Sequence, residues 1–266
     1  MAKSSPLADQ IVLVTGASRG LGWAILKAFI GNGARVVLNY RSTPADQLHN
    51  TISSEYRDDE DTRSRIFPCQ GDITDPAQCR AIFSAAEQHF GSPITTVVNN
   101  AMAGKFKFNG DARPKIHELE WEQIDTQLQG FLRGTLNTTK AALPGFEGTG
   151  FGRIVNIGTN LLSNPVVPYH DYVAAKGSLL AFTRTSAAEL GEKNVTVNMV
   201  SGGLLRVTEA SESTPDDVFK LIEGVTPLKR VITPEEVADV VLFFASPWSR
   251  AVTGQDIQVD GGLVMR

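Results

Sequence analysis

Cysteine is nearly missing from this chain, with Cys69 and Cys79 the only two in 266 residues. Two thiols exclude a disulfide framework and a thiolate metal cluster. His49, His89, His117 and His170 are scattered without ligand spacing, so no metal site is expected. Long apolar runs are lacking as well, and residues 1–10 hold no apolar signal core, so neither a membrane span nor export is expected. Positive charge is not in excess. The formal net charge is −4 with both signs dispersed, which leaves no footprint for nucleic acid or an anionic membrane. The acidic cluster Asp58-Asp59-Glu60-Asp61 reads as a solvated loop. Pro/Gly/Ser-rich joints, repeats and low-complexity segments are absent, so residues 1–266 are expected to form one domain with a full hydrophobic core. The expected setting is the cytoplasm.

What is present begins with Ile11 to Gly22, IVLVTGASRGLG. Ile11 to Val14 make a short apolar run of the kind buried in a sheet. Thr15 and Gly16 break it, and Gly20 and Gly22 open a stretch of helical spacing through Leu21, Ala24, Ile25, Ala28 and Phe29. A strand, a glycine turn and a helix together aim backbone N–H groups and a positive helix end at a phosphate. Gly16 permits the tight turn, Gly20 leaves room for a pyrophosphate, and Gly22 lets helix and strand pack closely. A glycine-rich turn can also merely end a strand, but its place directly after a buried-type run favours a dinucleotide.

Similar alternation continues along the chain. Further strands are expected at 35–39, 65–69, 94–99, 153–157, 195–200 and 257–259. Helices are expected at 45–55, from Pro76 to about Phe90, from about Ile116 to Leu143, and at 171–190. Thr214-Pro215-Asp216-Asp217 and Thr233-Pro234-Glu235-Glu236 read as helix starts, each with a capping hydroxyl and acids in the first turn. Short strands alternating with helices imply an α/β fold with a parallel, doubly wound sheet and helices on both faces. Ligands bind such sheets at the carboxyl ends of the strands.

Two groups of residues fall at those ends. The second strand closes on Asn39-Tyr40-Arg41, where a dinucleotide fold meets the adenosine ribose. No acid is there to accept from a ribose 2′-OH, whereas Arg41 and Arg19 are cations suited to a 2′-phosphate, so NADP is favoured over NAD. Asp72 has the reach to accept from an adenine amino group or to cap the following turn. Tyr172 and Lys176 are four apart on one helix and share a face. A neighbouring ammonium favours phenolate and lowers the phenol pKa from about 10, towards what a general acid or base requires.

With these residues in place, the chain resembles the short-chain dehydrogenase/reductase family from end to end. The matching motifs are Thr15-Gly-Ala-Ser-Arg-Gly-Leu-Gly22, Asp72, Asn99-Asn100-Ala101, Tyr172-x-x-x-Lys176, Val197-Asn198, Val252-Thr-Gly-Gln255 and Val259-Asp-Gly-Gly262. The resemblance implies a single Rossmann-type domain with a seven-stranded sheet, NAD(P)-linked chemistry on an alcohol/carbonyl pair, and a homotetramer. It implies that Tyr172 moves the substrate proton and that Lys176 holds the nicotinamide ribose and tunes Tyr172. Cofactor contacts are implied for Gly16, Ser18, Arg19, Gly20, Leu21, Gly22, Tyr40, Arg41, Asp72, Asn100, Tyr172, Lys176 and Gly203. The chain is most similar to the 3-oxoacyl-carrier-protein-reductase-like branch.

The chain departs from the family pattern at three places. Thr159 stands where the family has its catalytic Ser, thirteen residues before Tyr172, and keeps the hydroxyl. The family's catalytic Asn, in an Asn-Leu-x-Gly motif, is assigned to Gln127 in Gln127-Leu-Gln-Gly130, as holder of a water that links Lys176 to solvent. The Pro-Gly after the sixth strand reads Gly202-Gly203. Ser163 rivals Thr159, while His170 and Asp171 read as entry and cap residues. Residues from about 204 to 227 are expected to form a substrate lid, with Leu204, Leu205 and Val207 facing an apolar substrate portion. Phe106, Phe108 and Trp121 are expected either to line that cleft or to pack. The activity expected is NADPH-dependent reduction of a small-molecule carbonyl. The alternatives are a reductase of a larger polyketide- or alkaloid-like ketone, or a non-catalytic NADP-binding regulatory protein.

Overall fold

A computed structural model describes residues 7–102, 108, 113–206 and 208–265. Seven strands lie in one parallel sheet: β1 (Ile11–Val14), β2 (Arg35–Tyr40), β3 (Ile66–Gln70), β4 (Thr96–Asn99), β5 (Gly152–Ile157), β6 (Val195–Gly202) and β7 (Asp256–Val259). Their order across the sheet is β3-β2-β1-β4-β5-β6-β7. Parallel neighbours require crossovers, and helices supply them. These are α1 (Gly20–Gly31), α2 (Ala45–Glu55), α3 (Glu60–Ser64), α4 (Pro76–Phe90), α5 (Trp121–Leu128), α6 (Gly134–Thr149), α7 (His170–Leu190), α8 (Asp216–Val225) and α9 (Pro234–Ala245).

Strand periodicity divides the core in two. Val12 and Val14 join a cluster with Val36, Leu38, Val155 and the helix residues Phe29 and Phe244. Ile11 and Leu13 face the other way, towards Val97, Ile154, Ile82 and Phe146. β1, β2, β4, β5 and β6 thus bury both faces, which is why their runs read as nearly continuously apolar, whereas the edge strands β3 and β7 are only partly buried. The order of strand addition reverses between β1 and β4, so the crevice at their carboxyl ends is the expected ligand position.

Several boundaries differ from expectation. The acidic cluster is not all loop, because Asp59 caps α3 by accepting from the Thr62 N–H at 2.8 Å. The expected helix at 116–143 begins instead at Trp121, continues past Pro144 to Thr149, and passes through a π-helical turn at Gln129–Arg133. Thr233 caps α9 in a reciprocal box with Glu236. Thr214 does not cap α8, whose flanking residue is Pro215; its hydroxyl reaches towards the Phe108 carbonyl at 3.5 Å.

Candidate active site

Polar residues just beyond β1 and β4 tie the mouth of the crevice together. Thr15, just beyond β1, accepts through Oγ1 from the N–H groups of Asn100 and Ala101 at 2.9 and 3.0 Å. Asn100 Nδ2 returns the tie by donating to the Thr15 carbonyl at 2.9 Å. Two glycines of the turn between β1 and α1 leave no room for a side chain: a Cβ on Gly22 would lie 2.4 Å from the Gly16 oxygen and 2.6 Å from Asn100 Nδ2. Gly16 itself has φ +65°, and a Cβ there would press on Ala101 at 2.9 Å. Arg19, which precedes α1 in extended backbone, gives it no side-chain cap. The first-turn N–H groups therefore keep donors for an anion. A dinucleotide pyrophosphate fits this cradle.

From the turn a cavity of about 1120 Å³ runs across the strand ends to α7. Gly16, Ser18, Arg19, Gly20, Leu21 and Gly22 line its first part. Tyr40, Arg41, Asp72 and Asn100 line the next, and Thr159, Tyr172, Lys176 and Gly203 the far end. Arg41 is half exposed and faces Asp72 Oδ2 at 3.6 Å, while Asp72 Oδ1 accepts from the Thr74 N–H and hydroxyl at 2.9 and 2.7 Å. Both readings of Asp72 are thus compatible with its place: it holds the next turn and also lines the cavity.

A buried polar chain supports the far end. Thr138 donates to Asn99 Oδ1 at 2.7 Å, Asn99 Nδ2 to Asn156 Oδ1 at 2.9 Å, and Asn156 Nδ2 to Thr183 Oγ1 at 2.8 Å. These bonds tie α6, β4, β5 and α7 together behind Tyr172 and Lys176. In the sequence, the signal for them is an amide interrupting each of two apolar runs, Val-Val-Asn99 and Ile-Val-Asn156.

Tyr172 is 5% exposed and hydrogen-bonds to Thr159. Phe108 and Phe131 pack edge-on against its ring, with centroids 5.7 and 5.6 Å away. Burial raises its pKa to about 12, with the Thr159 hydrogen bond pulling the other way. Lys176, 3% exposed, donates to the Ile157 carbonyl at 2.6 Å, and burial lowers its pKa to about 7. The expected lowering of the phenol pKa by the ammonium is therefore absent. Burial disfavours the charged form of both groups, and Nζ sits 5.7 Å from the Tyr172 ring centroid.

Gln127 does not join this group. It is buried in α5, its Oε1 has no hydrogen-bond partner, and it is not among the residues lining the cavity. The ring of Phe131, in the π turn, covers the lysine instead, at 3.7 Å from Nζ to the centroid. Phe131-Leu-Arg-Gly134 repeats the x-Leu-x-Gly pattern four residues after Gln127-Leu-Gln-Gly130, and geometry selects the second copy. Ser163 is exposed and lies outside the lining. Asp171, in the first turn of α7, accepts from Arg113 at 3.1 Å. Phe108, Leu204 and Leu205 line the cleft; Trp121 does not and is 63% exposed; Phe106 and Val207 lie outside the described residues. Leu263, beyond β7, also lines the cleft.

The chain is similar to known proteins along nearly its whole length. A family model described as enoyl-(acyl carrier protein) reductase matches residues 16–264. A short-chain type dehydrogenase/reductase of Picea abies is 30% identical over 97% of this chain and 93% of its own. The 3-oxoacyl-(acyl-carrier-protein) reductase FabG of Vibrio cholerae is 31% identical over 97% of this chain and 99% of its own. The crystal structure of a putative gluconate dehydrogenase from Agrobacterium tumefaciens superposes with a TM-score of 0.83 at 26% identity, covering 97% of this chain and 98% of that one. A glycine cradle at one end of the cleft, a Tyr–Lys pair at the other and similarity along nearly the whole length lead to one conclusion: the chain belongs to the short-chain dehydrogenase/reductase family of oxidoreductases, in its 3-oxoacyl-carrier-protein-reductase-like branch.

Proposed function

We propose that this enzyme uses NADPH to reduce a ketone or aldehyde carbonyl to an alcohol. The observation that carries the reading is the buried Tyr172 hydroxyl, bonded to Thr159, at the opposite end of one cleft from the glycine turn. A bound nicotinamide supplies the hydride. Glycine-turn N–H groups hold the pyrophosphate, and Asn100 keeps that turn in shape. Lys176 has the reach to donate to a ribose hydroxyl. Thr159 donates to the carbonyl oxygen as negative charge grows there, and Tyr172 then gives up its proton. A phenol held neutral to about pH 12 is a poor acid towards a ketone. Towards the far more basic alkoxide it is a sufficient one, so the proton moves only when the oxygen has become an anion.

Leu204, Leu205, Val218 and Ile222 line the cleft from the 204–227 segment, which supports that segment as a substrate lid over an apolar group. Acyl thioesters, quinones and cyclic ketones are the substrates to try. Cytoplasmic residence and a homotetramer complete the reading. The tetramer is supported by exposed Trp121 on α5 and Leu136 on α6. No helix among the described residues is long and apolar enough to cross a membrane.

NADPH preference rests on Arg19 and Arg41 at a strand end without an acid. A charge-assisted contact to phosphate is typically worth about 1.5–3 kcal/mol. Because Arg41 is half exposed and shares its charge with Asp72, the low end applies. Arg41→Ala is expected to weaken NADPH binding roughly tenfold and leave NADH unchanged. Equal kcat/KM with the two cofactors in the wild type would remove the preference.

A further inference from the structure

Lys176 is a buried ammonium with no carboxylate paired to it among the described residues. Among the described residues, groups from three elements face it. From β5, the Ile157 carbonyl accepts one of its three protons. From its own helix, the Tyr172 ring lies 5.7 Å away. From the π turn, the Phe131 ring lies 3.7 Å away. No acid forms an ion pair with it among the described residues, and Asp171, on the same helix, is engaged by Arg113. A desolvated cation over an aromatic face is attracted by the negative charge density of the ring.

The backbone around Phe131 is built for this placement. The helix widens to a π turn over Gln129–Arg133, which shifts the register of the side chains that follow. Gly134 closes the turn, and a Cβ there would meet Ile73 at 2.9 Å. The same Phe131 ring packs edge-on to Tyr172, so one side chain touches both members of the pair.

We propose that Phe131 is a positioning residue for Lys176, and that its ring face holds the ammonium in the cleft and favours its charged state. The inference rests on the catalytic reading of Lys176 only for its consequence, not for its test. Burial alone brings the lysine to about pKa 7, so near neutral pH its charge is decided by what it touches. Weakening the ring's electron density removes support for the charged form and must lower that value further. A reductase that needs Lys176 charged would then lose activity at lower pH.

The test replaces Phe131 with a series of increasingly fluorinated phenylalanines, which keep the shape and drain the ring face, alongside Phe131→Leu. Lysine side chains are labelled with carbon-13, and the Lys176 signal, assigned by its loss in Lys176→Met, is titrated without cofactor or substrate. The midpoint is expected to fall stepwise with fluorination, by about one pH unit in Phe131→Leu. The alkaline limb of kcat/KM is expected to move by the same amount and direction. A Lys176 midpoint that stays put across the fluorinated series overturns the proposal, even if Phe131→Leu fails to fold. A stepwise fall upholds it whether or not any ketone is reduced, so its fate is separable from that of the proposed activity.

Discussion

Tyr172→Phe is expected to fold, to bind NADPH and to lose turnover by about 10²–10⁴-fold, the usual contribution of a positioned acid. Phe108 and Phe131 hold the Tyr172 ring edge-on, and neither contact uses the hydroxyl. The substitution therefore removes one oxygen and its proton while leaving the aromatic cluster filled. Its direct cost falls on Thr159, which loses a hydrogen-bond partner but still accepts from the Leu161 N–H at 3.3 Å. Activity is measured at saturating NADPH and with chemistry rate-limiting. A variant that keeps more than a tenth of wild-type kcat would move the proton source elsewhere.

Thr159→Val carries the second large effect. The hydroxyl bonds to Tyr172 and also caps the short turn Asn160–Leu162. Valine matches threonine in shape but offers neither. Because the carbonyl oxygen needs a donor chiefly once it is charged, kcat should fall by about 10²–10³-fold while KM changes little. Loss of the cap adds about 1 kcal/mol of destabilisation, visible in denaturant unfolding and separable from the kinetic effect. Thr159→Ser keeps both bonds and should stay active. Full kcat in Thr159→Val would mean that a water polarises the carbonyl, since Ser163 lies outside the cleft lining.

Where the sequence was explicit, local chemistry decided the structure. Pro76 and Pro234 each follow a capping Asp75 or Thr233, and α4 and α9 begin there. The central strands were legible because both faces of the sheet are covered there, leaving nearly unbroken apolar runs. Tyr172 and Lys176 were legible as a same-face pair, and Thr159 only through the family resemblance; the structure brings all three to one end of the cleft. Phe131 was not. An aromatic residue at helical spacing reads as core, and a π turn has no local signature. The x-Leu-x-Gly pattern also occurs twice, four residues apart, so spacing alone cannot choose between Gln127 and Phe131. The choice depends on the extra residue in the π turn, a property of packing between α5, α6 and α7. Leu263 in the cleft was likewise hidden, because an apolar chain end looks the same whether it meets its own chain or a neighbour.

Transfer of label from NADPH to product tests the central claim most directly. NADPH deuterated at nicotinamide C4 is incubated with the enzyme and a panel of acyl-thioester, quinone and cyclic-ketone substrates, and the products are analysed by mass spectrometry and NMR. The account predicts deuterium on the new carbinol carbon for at least one ketone, with Tyr172→Phe forming that product at least a hundredfold more slowly at equal cofactor occupancy. Tight NADPH binding with no label transferred to any carbonyl would contradict it, and would make the protein a binder of the cofactor rather than a reductase.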